Sequence, residues 1–158
     1  MIIGIVAVDQ NGAIGKGGKL PWHYSADMKF FKETTIGNAV VMGRKTWLTL
    51  KKPLPQRLNI VLSRQTEIEA QESVLVMRDV EAVLETARTL EGNLYVIGGE
   101  QIYRAFLPQI DRWIVTEIPL SIEEADAFIP DDYLGGFAVS DTKELGEDLI
   151  VKFYDRRR

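Results

Sequence analysis

Residues 2–8, Ile2-Ile3-Gly4-Ile5-Val6-Ala7-Val8, carry no polar side chain. A strand with one face in water alternates polar and apolar residues. A run without that alternation is therefore expected to be covered on both faces, as in a mainly parallel sheet. Four further runs of the same kind, at 39–42, 58–62, 74–77 and 94–97, are bounded by glycine and polar residues. Helical patterns lie between them. Asp79 caps one with Val80, Val83, Leu84, Ala87 and Leu90 on a single face and Gly92 past its end. A second, 100–107, presents Ile102, Tyr103, Phe106 and Leu107 before Pro108 stops it. Strand and helix in alternation imply right-handed crossovers on one sheet, an α/β fold. Past Pro108 the pattern changes: 112–118 and 149–154 read as strands, 137–140 as a shorter one, with no helix between. An antiparallel hairpin at the sheet's edge accounts for this, with the acidic, turn-rich 121–136 as loop.

The 158 residues suit a single domain with one core, and no repeat or linker divides them. A formal charge of -4 gives no general attraction to nucleic acid or anionic membrane, so a small-molecule partner is expected. Zero cysteines exclude disulfides, thiolate metal sites and a cysteine nucleophile. His23, the sole histidine, cannot build a two-histidine metal site, and no serine sits in a nucleophile elbow. The apolar start is too short to span a membrane and lacks signal-peptide features, which fits a cytoplasmic protein. Arg156-Arg157-Arg158 reads as a solvated end.

Three places hold the candidate chemistry. In 20–31 (Leu20-Pro21-Trp22-His23-Tyr24-Ser25-Ala26-Asp27-Met28-Lys29-Phe30-Phe31), Ser25 is expected to cap a helix from Ala26 to about Thr34. Asp27 falls in the first turn, with Phe30 and Phe31 one turn on as apolar neighbours for its carboxylate. The segment 9–24, with Asn11-Gly12 and Gly15-Lys16-Gly17-Gly18-Lys19, is too glycine-rich for helix and long enough for a lid. Two strand ends run through glycine into helix, at Val41-Met42-Gly43-Arg44-Lys45-Thr46 and Val96-Ile97-Gly98-Gly99-Glu100-Gln101. Free N–H groups after such a turn suit phosphate, and two junctions suggest a ligand with two. Arg44, Lys45, Thr46 and Arg64 supply more charge than a bare pyrophosphate requires; a further ribose phosphate would account for it. Neither the usual dinucleotide fingerprint nor a phosphate loop for ATP hydrolysis is present.

These blocks occur in order with Val6-Ala7-Val8-Asp9, Ile14-Gly15, Leu20-Pro21-Trp22, Trp47, Lys52-Pro53-Leu54-Pro55-Gln56-Arg57-Leu58-Asn59, Ile102-Tyr103, Thr116-Glu117-Ile118 and Asp126-Ala127-Phe128-Ile129-Pro130. Together they closely resemble bacterial dihydrofolate reductase over essentially the whole chain. The resemblance implies one domain with a mostly parallel sheet of about eight strands, a C-terminal antiparallel hairpin and helices on both faces. It implies hydride transfer from NADPH to 7,8-dihydrofolate, giving tetrahydrofolate for one-carbon metabolism, in a cytoplasmic monomer that antifolates could inhibit.

By the same resemblance Asp27 takes hydrogen bonds from the pterin ring, Thr116 braces it, and a proton reaches N5 through water gated by Leu20 and linked to Trp22. Tyr103 lies beside the nicotinamide. Ile5, Met28, Phe31, Leu50, Leu54 and Ile97 form apolar walls, Ala7 borders both ligands, and Arg57 holds the α-carboxylate of the glutamate tail with Lys52 a looser contact. The cofactor is expected to run from Ala7, Ile14 and Gly15 to Gly98, Gly99, Glu100, Gln101 and Ile102, with Gly18 and Lys19 of the lid nearby. Gly43, Arg44, Lys45 and Thr46 take phosphates; Arg44, Ser63 and Arg64 take the 2′-phosphate, Leu62 lines the cofactor, and Arg78 lies near the adenine; no metal is implied. Glu100 departs from the family pattern and is expected to point to solvent. An extra residue between Ile118 and Phe128 departs as well. A pyrimidine reductase of riboflavin synthesis and a nucleotide sensor without turnover are the competing readings.

Overall fold

The computed structural model describes residues 1–17, 22–64, 68 and 71–157. The first apolar run is strand β1 (Ile2–Val8), and the others become β3 (Ala39–Gly43), β4 (Leu58–Leu62), β5 (Val74–Met77) and β6 (Leu94–Val96). With β7 (Arg112–Glu117), β9 (Phe137–Gly146) and β10 (Leu149–Arg156) they form one eight-stranded sheet in the order β5-β4-β3-β6-β1-β7-β10-β9. The pairs from β5 to β7 are parallel, and β10 joins both β7 and β9 antiparallel. The chain starts at β1, builds outward through β3 to β5, returns to insert β6 between β3 and β1, then continues on β1's other side. Such a reversal opens a crevice at the carboxyl ends of the central strands.

Successive residues of these runs enter two different cores. Ala39 and Val41 of β3, Leu94 and Val96 of β6, and Trp113 and Val115 of β7 face one. Val40 and Met42, Tyr95, and Ile114 face the other. Helices α3 (Val80–Arg88) and α4 (Glu100–Phe106) cover the first through Val83, Leu84 and Phe106. Helix α1 (Ser25–Thr35) covers the second through Phe30, with Trp47 of α2 (Arg44–Thr49) packed beside it. Double coverage is thus the reason the runs lack polar alternation. Gly4 interrupts β1 because Trp113, fully buried between Tyr103 and Tyr133, occupies the space a Cβ would need.

Four expectations need correction. Within 9–24 the chain forms a short strand, β2 (Ala13–Gly15), and within 121–136 another, β8 (Ala127–Phe128), which pair antiparallel. Each is too short to show a period of two. Strand β9 runs ten residues rather than four, because its outer part is exposed and polar and carries no hydrophobic signature. Helix α1 starts at Ser25, and its N-cap is Tyr24, whose side chain caps nothing.

Asp9 explains how the segments around β2 and β8 are fixed. Its buried carboxylate accepts from the backbone N–H groups of Asn11, Ala13 and Ile122, each at 2.8 Å. Burial raises its pKa, but the three donors outweigh it and hold the group below the usual carboxylate range. The ionised form therefore stabilises the fold above the unfolded value of 3.8, and that contribution is lost as pH falls through the lower folded pKa. Asp9→Ala is expected to cost about 2–4 kcal/mol at pH 7, the size of several charge-assisted bonds lost together. In denaturant titrations the gap from the parent protein should narrow below pH 3.8.

Candidate active site

All strands from β5 to β7 point the same way, so their carboxyl ends share one edge. Along it stand Arg78 after β5, Ser63 and Arg64 after β4, Gly43 at the end of β3, Gly98 past β6, Ala7 near the end of β1, and Thr116 of β7. Five strand spacings of about 4.8 Å make this row roughly 24 Å long. The two glycine junctions adjoin: Gly43 N–H donates to Gly98 O at 2.9 Å. Gly98 has φ +110 and a cis bond to Gly99, the N-cap of α4. A Cβ on Gly99 would lie 3.9 Å from Thr46 Oγ1, so the starts of α2 and α4 face a common space.

Asp27 lies in the first turn of α1. The nearby hydroxyl of Thr116, on a side chain only 2% exposed, acts to lower the pKa of its carboxyl group, and Thr116 pairs in register with Ala7. Burial raises the Asp27 pKa and the Thr116 hydroxyl opposes it, leaving the acid above its ordinary value. Tyr103 is buried, and its hydroxyl donates to Ile5 O at 2.7 Å. Burial first, then the Asp27 charge and Tyr133, raise its pKa, so it stays a neutral donor. Trp22 has a buried ring N–H with no partner among the described residues.

The apolar residues expected as walls gather on the α1 face. Ile5 belongs to its core, with Phe31, Leu50, Leu54 and Ile97 partly buried against it; Met28 is 57% exposed on α1. Ile14, Leu62, Ile102 and Tyr103 belong to the opposite core. The sheet thus separates most of the apolar residues expected to hold substrate from Ile14, Leu62, Ile102 and Tyr103 of those expected to line the cofactor.

Arg57 is 6% exposed and meets no carboxylate at ion-pairing distance among the described residues. Its Nε donates to Pro55 O at 2.9 Å and its Nη1 to Thr35 Oγ1 at 3.0 Å. Burial lowers its pKa, yet a guanidinium stays charged. Asn59, fully buried, clamps the loop that presents it by bonding the backbone of Leu54 and Arg57. Thr35 lies eight residues beyond Asp27, roughly 12 Å along α1 at 1.5 Å per residue. One end of the helix therefore offers an anion and the other a cation.

Lys45, Lys52, Arg64 and Gln101 are exposed beside these groups, Arg44 and Thr46 are half-buried, and Gly15 is buried in β2. Glu100 is partly exposed, and its carboxylate accepts from Phe128 N–H of β8 at 3.4 Å in a solvent-exposed bond. Asp126 Oδ2 accepts from Gly17 N–H at 2.9 Å, tying the glycine-rich segment to the same loop. Gly18, Lys19 and Leu20 lie outside the described residues. Sequence reading missed the roles of Asp9, Asp126 and Thr35. The Asn11-Gly12 turn after an aspartate was the available signal for the first, and the others had none.

The dihydrofolate reductase family model matches residues 1–153. The dihydrofolate reductase of Haemophilus influenzae is 37% identical over 126 residues, covering 80% of this chain and 76% of that protein. That of Mycobacterium leprae is 42% identical over 135 residues, covering 82% and 81%. A solved structure described as dihydrofolate reductase from Enterococcus faecalis complexed with NADP(H) and RAB-propyl superposes with a TM-score of 0.90 at 35% identity, covering 100% of this chain and 97% of that one. With Asp27 and Arg57 at opposite ends of one helix beside a glycine-lined edge, the chain belongs to the dihydrofolate reductase family, the NADPH-dependent oxidoreductases that reduce 7,8-dihydrofolate to tetrahydrofolate.

Proposed function

We propose that this chain reduces 7,8-dihydrofolate as a single-domain, cytoplasmic monomer, with Asp27 holding the pterin and the carboxyl edge of the sheet holding NADPH. The observation that carries this reading is the half-buried Asp27 carboxylate beside Thr116, near the carboxyl end of β7. A carboxylate presents two acceptors to the paired N–H donors of the pterin, and its raised pKa favours the protonated ring-acid pair. Trp22, through its ring N–H, and Leu20 hold and gate the water that brings the proton to N5. Ile5, Ala7, Phe31, Leu50, Leu54, Ile97 and the exposed Met28 press the rings into line. Arg57 takes the α-carboxylate of the tail, assisted by Lys52.

The residues at the edge fit NADPH: a row about 24 Å long matches an extended dinucleotide, and Gly99, without a side chain, lies beside the hydroxyl of Thr46, so that backbone and hydroxyl are presented together. NADPH supplies the hydride. Ala7, Ile14, Gly15, Ile97 and Tyr103 flank its reactive end, while Gly43, Arg44, Lys45, Thr46, Gly98, Gly99, Glu100, Gln101 and Ile102 border the phosphates. Arg44, Ser63 and Arg64 take the 2′-phosphate, Leu62 lines the cofactor, and Arg78 lies near the adenine.

Asp27→Asn should lower turnover at pH 7 by about two or more orders of magnitude, measured as NADPH oxidation at 340 nm. Near-normal turnover would remove Asp27 from this role. Because the folded pKa is raised, ionised Asp27 destabilises the fold, and that penalty grows as pH rises through the folded value. The same variant should therefore unfold at a higher temperature than the parent at pH 7, with the difference fading toward pH 3.8.

Arg57→Lys keeps charge but loses the forked donor pair, so KM for dihydrofolate should rise about tenfold while the Kd for NADPH is unchanged. Equal effects on both ligands would place Arg57 outside the tail site. The parent protein should oxidise NADPH much faster than NADH, and Arg44→Ala or Arg64→Ala should narrow that preference about tenfold or more, the size of a lost charge-assisted bond. NADPH binding without dihydrofolate-dependent oxidation would instead identify a sensor.

A further inference from the structure

The first turn of α1 exposes N–H groups that no local side chain serves, since the N-cap is Tyr24 and caps nothing. One acceptor arrives from 121 residues away: Glu147 Oε1 takes the Ala26 N–H at 3.1 Å. Glu147 and Asp148 form the tip of the β9–β10 hairpin, both at positive φ, 54 and 62, the backbone of the tight turns that join twisted strands. Farther along, the same hairpin grips α1 twice more. Lys143 lies 5.8 Å over the Phe30 ring, and Phe153 meets that ring edge-on at 6.4 Å.

We propose that Glu147 is a positioning residue for the reaction: by capping α1 through Ala26 it leaves the next residue, Asp27, free to turn toward Thr116 and the crevice. An aspartate in a first helical turn is itself suited to bond that turn's N–H groups. With Ala26 N–H unserved, the Asp27 carboxylate has a competing partner on its own helix. The helix N-terminus also loses the anion that offsets its dipole. Glu147 thus acts on substrate through α1 and touches no ligand. The proposal rests on Asp27 being the pterin-binding acid.

The test compares Glu147→Ala with Glu147→Gln, which keeps an acceptor oxygen, reading dihydrofolate KM, kcat and NADPH Kd, with melting temperature alongside. Glu147→Ala should raise KM for dihydrofolate about fivefold and leave the NADPH Kd within error, and Glu147→Gln should restore most of that loss. A double-mutant cycle isolates the coupling: in an Asp27→Asn background, Glu147→Ala should add little to the loss of dihydrofolate affinity. A lower melting temperature with unchanged KM, equal losses for both ligands, or additive effects in the cycle would each overturn the proposal. If Asp27→Asn itself leaves dihydrofolate binding intact, the assignment of Asp27 fails first. If Asp27→Asn weakens binding and Glu147→Ala does not, only the capping role fails.

Discussion

Burial of the parallel strands on both faces is the constraint on which the rest depends. With Val40, Val41, Met42, Val96 and Ile114 committed to two cores, the middles of the sheet faces are apolar, and the polar side chains buried in strands, Asn59 and Thr116, stand near strand ends. Polar groups must stand at an edge, and the reversal of strand order decides which part of the edge is open. The glycines at 43, 98 and 99 follow from the same constraint. Helices that cover a sheet begin where its strands end, and the chain turns sharply there.

Helix α1 converts this edge into a site with a direction. It packs by Phe30 on the face opposite α3 and α4, places Asp27 beside β7, and reaches Thr35 beside Arg57. The spacing between acid and base is thus a helix length plus the Arg57–Thr35 bond, with the loop that carries Arg57 clamped by Asn59. What holds the helix in register is largely the C-terminal hairpin, through Phe153, Lys143 and Glu147. A segment that composition marks only as an edge hairpin serves as the frame for the acid.

Legibility in the sequence followed the range of the forces involved. Runs such as 58–62 and 74–77 were readable because burial writes itself into consecutive residues. The Asp79 cap of α3 was readable because its acceptor and donor, Asp79 and Ala82, are three residues apart. The cap of α1 was not, since its acceptor is Glu147, and Ser25 offered a plausible local substitute. Strands β2 and β8 hid for a related reason: their pairing is held by Asp9 and Asp126 from outside. Arg57 shows the mixed case. Its block was recognisable, but its burial depends on Asn59 and Thr35, which no spacing rule connects to it.

Asp9 and Asp27 show how one force yields opposite chemistry. Burial pushes both carboxyl groups upward. At Asp9 three backbone donors reverse the shift and make the ionised group part of the fold's stability. At Asp27 a single hydroxyl opposes it and does not prevail. The difference is therefore the number of fixed donors, and it follows from position. Asp9 sits where a turn and a returning loop converge. Asp27 has a single hydroxyl beside it, with acceptor capacity left over for the N–H donors of a ligand. Backbone donors of Asp9's kind at Asp27 would stabilise the protein and fill the acceptors that a pterin needs.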